Sequence, residues 1–358
     1  MLRRIYNHVA PGRRAGAAGL TEMTATFNSV PMAPLPDGPF AGRTVKPFTE
    51  MEPNVTTPYN PMEYNDYLVL DSWSIGPDTV ILRLAFPDSA KETLHQYAEH
   101  LHCPSHVSVN ALIPGTGEVK HTYTIVSRPD AAGYFDLLIK GYDPSLLPDP
   151  TKKGGKALLL KDGTGGGVAW HTVHKRPGEY VEVKLKKKKS HIGGQSTGGY
   201  RANRWREVGM VGSGTGVAPF IQIIRTAVPD PTDNTRFSVV MCQRTEADLL
   251  LKDELDTWAR DYSDQVRVTY TLTRPSDTWK GRIGRVDAGL LRETMPQPAD
   301  DIIVLVCGTD EFRDAMAGPR NEEEPVIGKP GKTKTGSGPV LGVLSEVGNY
   351  AESMCYKF

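Results

Sequence analysis

One stretch decides the fold: EVGMVGSGTGVAPF, residues 207–220. It predicts a short buried strand, a loop with three glycines, and a helix that begins at Pro219, because proline is tolerated in a first helical turn. Glycines let backbone amides come close to a ligand, and the start of a helix favours negative charge. The stretch therefore indicates a phosphate or dinucleotide site.

This loop departs from the two commonest nucleotide-binding fingerprints. A P-loop has lysine directly after its last glycine, whereas Val217 follows Gly216 here. The later Gly331-Lys332-Thr333 has Val326 where a P-loop requires glycine. A Rossmann fingerprint ends on Gly or Ala, and this chain has Pro219 at that position. The Gly-x-Gly-x-x-Pro form must therefore be interpreted from its surroundings.

The surroundings favour a parallel α/β domain. After Trp205, predicted strands and helices alternate, which is typical of a parallel sheet with right-handed crossovers. Ligands of such sheets bind beyond the carboxyl ends of the strands, where residues 212–216 and 307–308 both lie. The predicted strands are 207–211, 236–242, 266–272 and 302–306, and the predicted helices are 219–228, 246–260, 287–294 and 310–317, with a short helix within 343–358.

A β-rich region precedes this domain. Short runs of β-branched and aromatic residues are separated there by Gly, Pro and Asp, which predicts an antiparallel sandwich or barrel. The predicted strands are 67–70, 79–86, 105–112, 120–127, 134–139 and 180–185, with a short helix at 168–173.

Composition excludes several classes of protein. The 358 residues are 39% hydrophobic, which is enough for two domains with their own cores. Lys+Arg and Asp+Glu both number 42, so the charge gives no indication of a nucleic-acid partner. The sequence contains no run of 18 or more apolar residues, so no transmembrane segment is predicted. The four cysteines form no C-x-x-C pair, so we expect neither a disulfide framework nor a metal site.

The chain begins with a basic segment. Residues 1–20 contain four arginines, several alanines and no acidic residue, which predicts a mitochondrial presequence; the alternative is a disordered basic tail. Residues 21–63, rich in Pro, Thr and Asn, predict an irregular leader.

Motifs in a fixed order resemble one family. From residue 64 to 358 the chain is similar to NADH–cytochrome b5 reductase and the wider ferredoxin-reductase-like flavoproteins. The matching segments are Tyr123-Thr124-Ile125-Val126-Ser127, Ile139-Lys140-Gly141-Tyr142, Gly165-Gly166-Gly167-Val168-Ala169, residues 212–219, Thr245-Glu246-Ala247-Asp248, Cys307-Gly308 and the C-terminal Met354-Cys355-Tyr356-Lys357-Phe358.

The resemblance implies the fold and the domain boundaries. It implies an antiparallel six-stranded flavin-binding β-barrel, followed by a parallel-sheet α/β nucleotide-binding domain. The expected segments are the presequence 1–20, the leader 21–63, the FAD-binding barrel 64–190, a flexible basic connector 191–204, and the NAD-binding domain 205–358 with an exposed insertion at 319–340.

The resemblance also implies the site residues. Thr124, Thr215 and Cys307 are expected beside the reacting rings of flavin and nicotinamide. The residues expected to bind FAD are His121, Tyr123, Thr124, Ile139, Lys140, Tyr142, Gly166, Gly167, Val168, Ala169 and Phe358. The residues expected to bind NADH are Lys140, Gly212, Gly214, Thr215, Gly216, Pro219, Asp248, Cys307, Gly308 and Phe312.

Two positions depart from the family's pattern. His121 stands where the family has an arginine that pairs with the FAD pyrophosphate, and Ala169 stands where it has a serine. A neutral imidazole offers one donor, whereas a guanidinium offers a charged fork. We therefore expect weaker FAD binding unless His171 and Lys175 compensate, and the smaller flavin FMN remains an alternative.

The expected activity is hydride transfer from NADH to FAD, followed by single-electron transfer to an acceptor such as cytochrome b5 or another haem protein. Asp248 would repel a 2′-phosphate and favour NADH over NADPH, although Arg244 could reverse that preference. Asp248 could equally be an acid in a first helical turn. Two alternatives are a flavin-poor accessory subunit of a larger mitochondrial or membrane complex, and NADPH-driven reduction of a ferredoxin.

Overall fold

The computed structural model describes residues 60–86, 103–113, 117–129, 131, 133–141, 167–185, 192, 199–323, 333–334 and 338–358. The described residues belong to one compact unit, Val55–Phe358. The predictions for the presequence, for most of the leader and insertion, for half of the connector, and for Tyr142 and Gly166 lie outside the described residues.

The first half of the described chain is an antiparallel β-barrel. Its strand order is β4-β3-β6-β1-β2-β5, and an antiparallel bridge from Ile125 to Leu137 joins the two edges. The six-stranded antiparallel sheet of the predicted fold is therefore confirmed. The strands are β1 Asn65–Gly76, β2 Thr79–Ala85, β3 His106–Ile113, β4 Gly117–Thr124, β5 Tyr134–Lys140 and β6 Tyr180–Leu185.

Alternation along the strands fills the barrel. Residues two apart on a strand point to the same face, so Phe135, Leu137 and Ile139 of β5 all enter the barrel core. Tyr67 meets Phe135 edge to face, with ring centroids 5.2 Å apart. The helix α1, Val168–Val173, adds Val168 to the same core.

The second half is a parallel α/β domain, as predicted. Its sheet has the order β10-β9-β8-β7-β11-β14, and all neighbouring strands are parallel. The elements are β7 Glu207–Ser213, α2 Val217–Ala227, β8 Arg236–Gln243, α3 Lys252–Asp261, β9 Val266–Leu272, β10 Arg282–Ile283, α4 Ala288–Thr294, β11 Ile302–Cys307, α5 Asp310–Ala317, β12 Glu322–Glu323, β13 Thr333–Lys334, α6 Val343–Val347 and β14 Cys355–Lys357.

The predicted helix at 246–260 is wrong in its first turns. Residues Glu246–Asp248 form a short 3-10 turn, and α3 begins only at Lys252. Between them Leu251, the N-cap residue of α3, has a left-handed backbone (φ 56°) and a buried side chain. A reciprocal capping box between Thr245 and Asp248 stabilises the short turn.

Two other boundaries differ from the predictions. The helix α2 begins at Val217, so Pro219 lies within its first turn and does not open it. The C-terminal residues form β14, which pairs with β11 and extends the sheet. A three-residue strand is too short to show periodicity, and the sequence therefore did not predict it.

The buried Lys357 binds both ends of the predicted insertion. Its Nζ donates to the carbonyl oxygens of Pro319 and Pro339, both at 2.8 Å. Burial disfavours the charged ammonium and lowers the pKa of Lys357. The chain ends that flank residues 320–338 are thus held beside β14.

The helix α2 lies between the two sheets and is buried nearly all round. Its apolar side chains share one core with Ile81, Val126 and Leu138 of the barrel. Within this core Arg225 makes a two-pronged ion pair with Glu254 of α3, at 2.7 Å for each bond, and donates to the Val126 carbonyl oxygen.

We expect Glu254→Ala to destabilise the fold by about 3–5 kcal/mol, because it leaves the Arg225 charge buried without its partner. The matched control is Glu293→Ala, which removes the exposed ion pair with Arg282 and should cost less than about 1 kcal/mol. Chemical denaturation of both variants measures the difference. Equal losses in the free energy of unfolding would show that the buried ion pair stabilises the fold no more than the exposed one.

Candidate functional site

The barrel and the α/β domain enclose a cavity of about 250 Å³. Parts of six segments meet there: the ends of β4 and β5, the start of α1, the loop before α2, the first turn of α2, and the end of β11. The lining residues are His121, Thr122, Tyr123, Thr124, Leu138, Lys140, Gly167, Val168, Ala169, Trp170, Thr215, Gly216, Ala218, Pro219, Cys307 and Gly308. The structure thus brings together residues predicted for both cofactors.

Tyr123 provides a free polar group on the barrel side of the cavity. Its hydroxyl oxygen is buried and has no hydrogen-bond partner, and burial raises the pKa of Tyr123. A buried polar atom without a partner is unfavourable, so a ligand that accepts a hydrogen bond would relieve the cost. This orphaned hydroxyl, next to the half-buried Thr124, fits the polar edge or side chain of a flavin.

The predicted phosphate turn lies at the start of α1. Gly167 is the N-cap residue, has an extended backbone, and provides no side-chain cap, so side chains do not occupy the first-turn amides. Those amides border the same cavity through Val168 and Ala169. The backbone of this turn therefore keeps donors for an anionic group, although Ala169 brings no hydroxyl.

His121 borders the same side of the cavity. Its ring is exposed and lies 5.0 Å from the ring of Tyr123, centroid to centroid. The neighbouring Lys120 is ion-paired with Glu118 at 3.4 Å and is absent from the cavity lining.

The compensating residues proposed from the sequence do not line the cavity. His171 keeps a buried Nε2 without a hydrogen-bond partner, and Lys175 pairs with Glu179 at 3.9 Å. The structure therefore gives no support to compensation by His171 or Lys175.

The nucleotide loop touches the end of β11. A Cβ atom on Gly216 would lie 2.3 Å from the carbonyl oxygen of Cys307, so only glycine permits this approach. Gly214 has a left-handed backbone (φ 58°), which favours glycine for a different reason. The two strand ends are thus drawn together, and Thr215 and Cys307 both border the cavity.

Lys140 and Asp248 form an ion pair between the two halves. The distance from Lys140 Nζ to an Asp248 carboxylate oxygen is 3.7 Å, and both side chains are largely buried. The other carboxylate oxygen accepts from the Thr245 hydroxyl at 2.8 Å and the Thr245 amide at 3.2 Å. Asp248 therefore has a structural role in its own turn; its role at the adenosine ribose stays a prediction.

Besides Asp248, three predicted site residues with side chains and two predicted glycines do not line the cavity. Ile139 points into the barrel core, since its neighbours Leu138 and Lys140 take the cavity face. Phe358 packs on Phe220, with ring centroids 6.5 Å apart. The others are Phe312, packed against Gly308, together with Gly212 and Gly214. For these residues, cofactor contact stays a prediction.

Sequence reasoning missed several lining residues: Thr122, Leu138, Trp170 and Ala218. Leu138 could have been found, because it shares a face of β5 with Lys140. Trp170 sits in the first turn of α1, where its large ring was not connected with the phosphate turn. Within the described ranges, no helix is long and apolar enough to span a membrane, and no group of three or more potential metal ligands occurs.

Known proteins resemble the chain in both halves. An oxidoreductase FAD-binding domain model matches residues 67–191, and an oxidoreductase NAD-binding domain model matches residues 210–317. NADH-cytochrome b5 reductase 1 of Scheffersomyces stipitis is 30% identical over 75% of this chain and 82% of that protein. NADH-cytochrome b5 reductase 2 of Xenopus tropicalis is 32% identical over 73% of this chain and 80% of that protein.

A solved structure supports the fold. The cytochrome b5 reductase domain of Ulva prolifera nitrate reductase has a TM-score of 0.58 and 23% identity, covering 71% of this chain and 90% of that one. The predicted fold and the expected FAD and NAD cofactors are confirmed by these matches.

Gly216→Ala should weaken nucleotide binding about tenfold or more, which corresponds to about 1.4 kcal/mol, because the added methyl group must push the Cys307 carbonyl away. The control is Gly214→Ala, where no atom lies within 4 Å and only the left-handed backbone is strained. Titration of each variant with NADH measures the affinity. An unchanged affinity in Gly216→Ala would contradict the assignment of this contact.

Proposed function

The chain belongs to the family of NADH-cytochrome b5 reductases, and we propose that it passes electrons from NADH through FAD to a one-electron acceptor. The observation that carries the proposal is the shared cavity. The flavin-motif residues Tyr123 and Thr124 face the same space as Thr215 and Cys307 of the nucleotide loops.

The residues present suit a flavin and a nicotinamide placed against each other. Bound flavin supplies the exchange between two-electron and one-electron transfer. The chain contributes position and environment: the Tyr123 hydroxyl can donate a hydrogen bond, and Thr124 can hydrogen-bond the flavin edge where hydride arrives. Cys307 offers a small, polarizable wall for the nicotinamide. Apolar Leu138 and Val168 limit water in the same space.

Lys140 gives the cavity its positive charge. It lies between the two predicted cofactor sites, and its ion pair with Asp248 fixes the direction of its side chain. An ammonium at this point suits anionic groups of both FAD and NADH. We propose NADH as the donor, in line with the names of the related reductases.

The acceptor and the location extend this proposal. A haem protein such as cytochrome b5 is the acceptor that the related proteins' names support. The arginine-rich residues 1–20 support a mitochondrial location. Docking to a partner within a membrane complex is a further proposal that follows from that location. The accessory-subunit alternative is not favoured, because residues predicted to bind FAD and residues predicted to bind NADH line one cavity.

The decisive test of the function uses the purified protein. We expect a yellow preparation whose visible flavin absorbance is lost when NADH is added without oxygen, and recovered on addition of oxidised cytochrome b5. A colourless protein that no flavin restores would contradict the proposed activity. Reduction by NADPH at a rate equal to that with NADH would contradict the choice of donor.

His121→Arg should lower the dissociation constant of FAD about tenfold or more, because a hydrogen bond to a charged group contributes about 1.5–3 kcal/mol. The matched control is Lys120→Arg on the opposite strand face, which should leave FAD affinity unchanged. Fluorescence titration of flavin-free protein measures both. If His121→Arg leaves the affinity unchanged, His121 does not lie at the FAD pyrophosphate.

A further inference from the structure

The helix α2 makes directional polar contacts with the barrel through Gln222. The side chain of Gln222 is fully buried. Its Oε1 accepts from the Ser105 amide at 2.6 Å, and its Nε2 donates to the Ser127 carbonyl oxygen at 3.1 Å. One amide side chain thus joins two separate backbone segments of the barrel, both buried, to the α/β domain.

Arg225, one turn further along α2, extends these contacts. It donates to the carbonyl oxygen of Val126 while Glu254 holds its other nitrogens. The neighbouring Thr226 hydroxyl lies 3.7 Å from the Cys103 sulfur. We call the contacts of Gln222 and Arg225 with Ser105, Val126 and Ser127 the helix–barrel contacts.

The helix–barrel contacts lie between the two halves of the site. Val126 and Ser127 lie two and three residues after Thr124, which faces the cavity together with Tyr123. The first turn of α2 contributes Ala218 and Pro219 to the opposite wall of the same cavity. Because α2 is a continuous helix, it couples the position of the loop that precedes it, residues 214–216, to the position of the end of β4.

Apolar packing alone would not fix the distance between the loop before α2 and the end of β4. Dispersion contacts are individually small and weakly directional, whereas hydrogen bonds fall off steeply with angle and distance. Loss of Gln222 would also deprive the buried Ser105 amide and Ser127 carbonyl of this partner, which is unfavourable. The polar residues therefore restrict the small shifts that a purely apolar interface would tolerate.

We propose that Gln222 and Arg225 are positioning residues for hydride transfer, since they fix the separation of the Thr124 strand end and the Thr215 loop. The inference rests on the proposed NADH-to-flavin reaction. Hydride transfer requires close and aligned donor and acceptor atoms, and a displacement of about 1 Å can cost about 100-fold in rate. Binding of either cofactor alone depends far less on this separation.

The test replaces Gln222 by methionine, which keeps the length of the side chain and removes both hydrogen bonds. We expect the rate of flavin reduction by saturating NADH to fall about 10- to 100-fold, with dissociation constants of FAD and NADH within about twofold of the wild type. The long-wavelength absorbance of reduced flavin stacked on NAD⁺ should weaken in parallel. Faster hydrogen exchange of the Ser105 amide should report the lost contact directly.

The matched control is Gln265→Met, which removes one bond, to the Asp233 carbonyl at 2.9 Å, within the α/β domain. It should leave the reduction rate and the stacking absorbance unchanged. Gln222→Glu keeps an acceptor for the Ser105 amide and should give an intermediate rate, and it serves as the second variant if Gln222→Met does not fold.

The outcomes separate the two proposals. A wild-type protein that NADH does not reduce would overturn the proposed function and, with it, the role of Gln222. A reducible wild type whose Gln222→Met and Gln222→Glu variants keep the full rate and the stacking absorbance would overturn only the positioning role. An equal loss of rate in Gln265→Met would also overturn it, because that loss would reflect stability alone.

Discussion

Burial of α2 between the parallel sheet and the barrel is the constraint on which the rest of the structure depends. The helix Val217–Ala227 packs against the parallel sheet on one side and the barrel on the other. A helix that is mostly apolar all round is stable only when it is buried in this way. Phe220, Ile221 and Ile224 are fully buried, and each such side chain contributes about 1.5–3 kcal/mol. The polar residues on this helix are tolerated because the barrel backbone and Glu254 satisfy them.

From this arrangement the site follows. The loop before α2 is carried to the end of β11, where Gly216 allows contact with the Cys307 carbonyl. On the barrel side, the strand end held by α2 brings Tyr123 and Thr124 to the same cavity. The Lys140–Asp248 ion pair adds a second connection between the halves, next to the lining. The helix α2 thus contributes to one wall of the cavity and contacts the barrel segment that follows the other wall.

Much of the fold is encoded in local patterns. Short runs of β-branched and aromatic residues between Gly, Pro and Asp predicted the barrel strands, and alternation of strands with helices predicted the parallel sheet. The failures have physical causes. The 246–260 segment has helical composition, but burial of Leu249–Leu251 and the Thr245–Asp248 capping box break it into two parts. The strand β14 forms only because β11 offers an unpaired edge, which no local pattern reveals.

The residues of the candidate site were likewise predicted only in part. Residues within recognisable motifs, such as Thr124, Thr215 and Cys307, were found from sequence and meet at the cavity. Gln222 and Arg225 were not, because on a helix with an apolar pattern they resemble ordinary polar positions. Their function depends on partners about 100 residues earlier: Ser105, Val126 and Ser127. Such pairings become visible only when the two halves are packed together.

The central claim is that flavin and nicotinamide meet face to face in this cavity. It is tested most directly by reducing the bound flavin with NADH that carries deuterium on one or the other face of its C4 position. If Thr215 and Cys307, which line the cavity, hold the nicotinamide ring in one orientation, one labelled form should show a primary isotope effect on flavin reduction and the other should not. Equal rates with both forms would contradict the account.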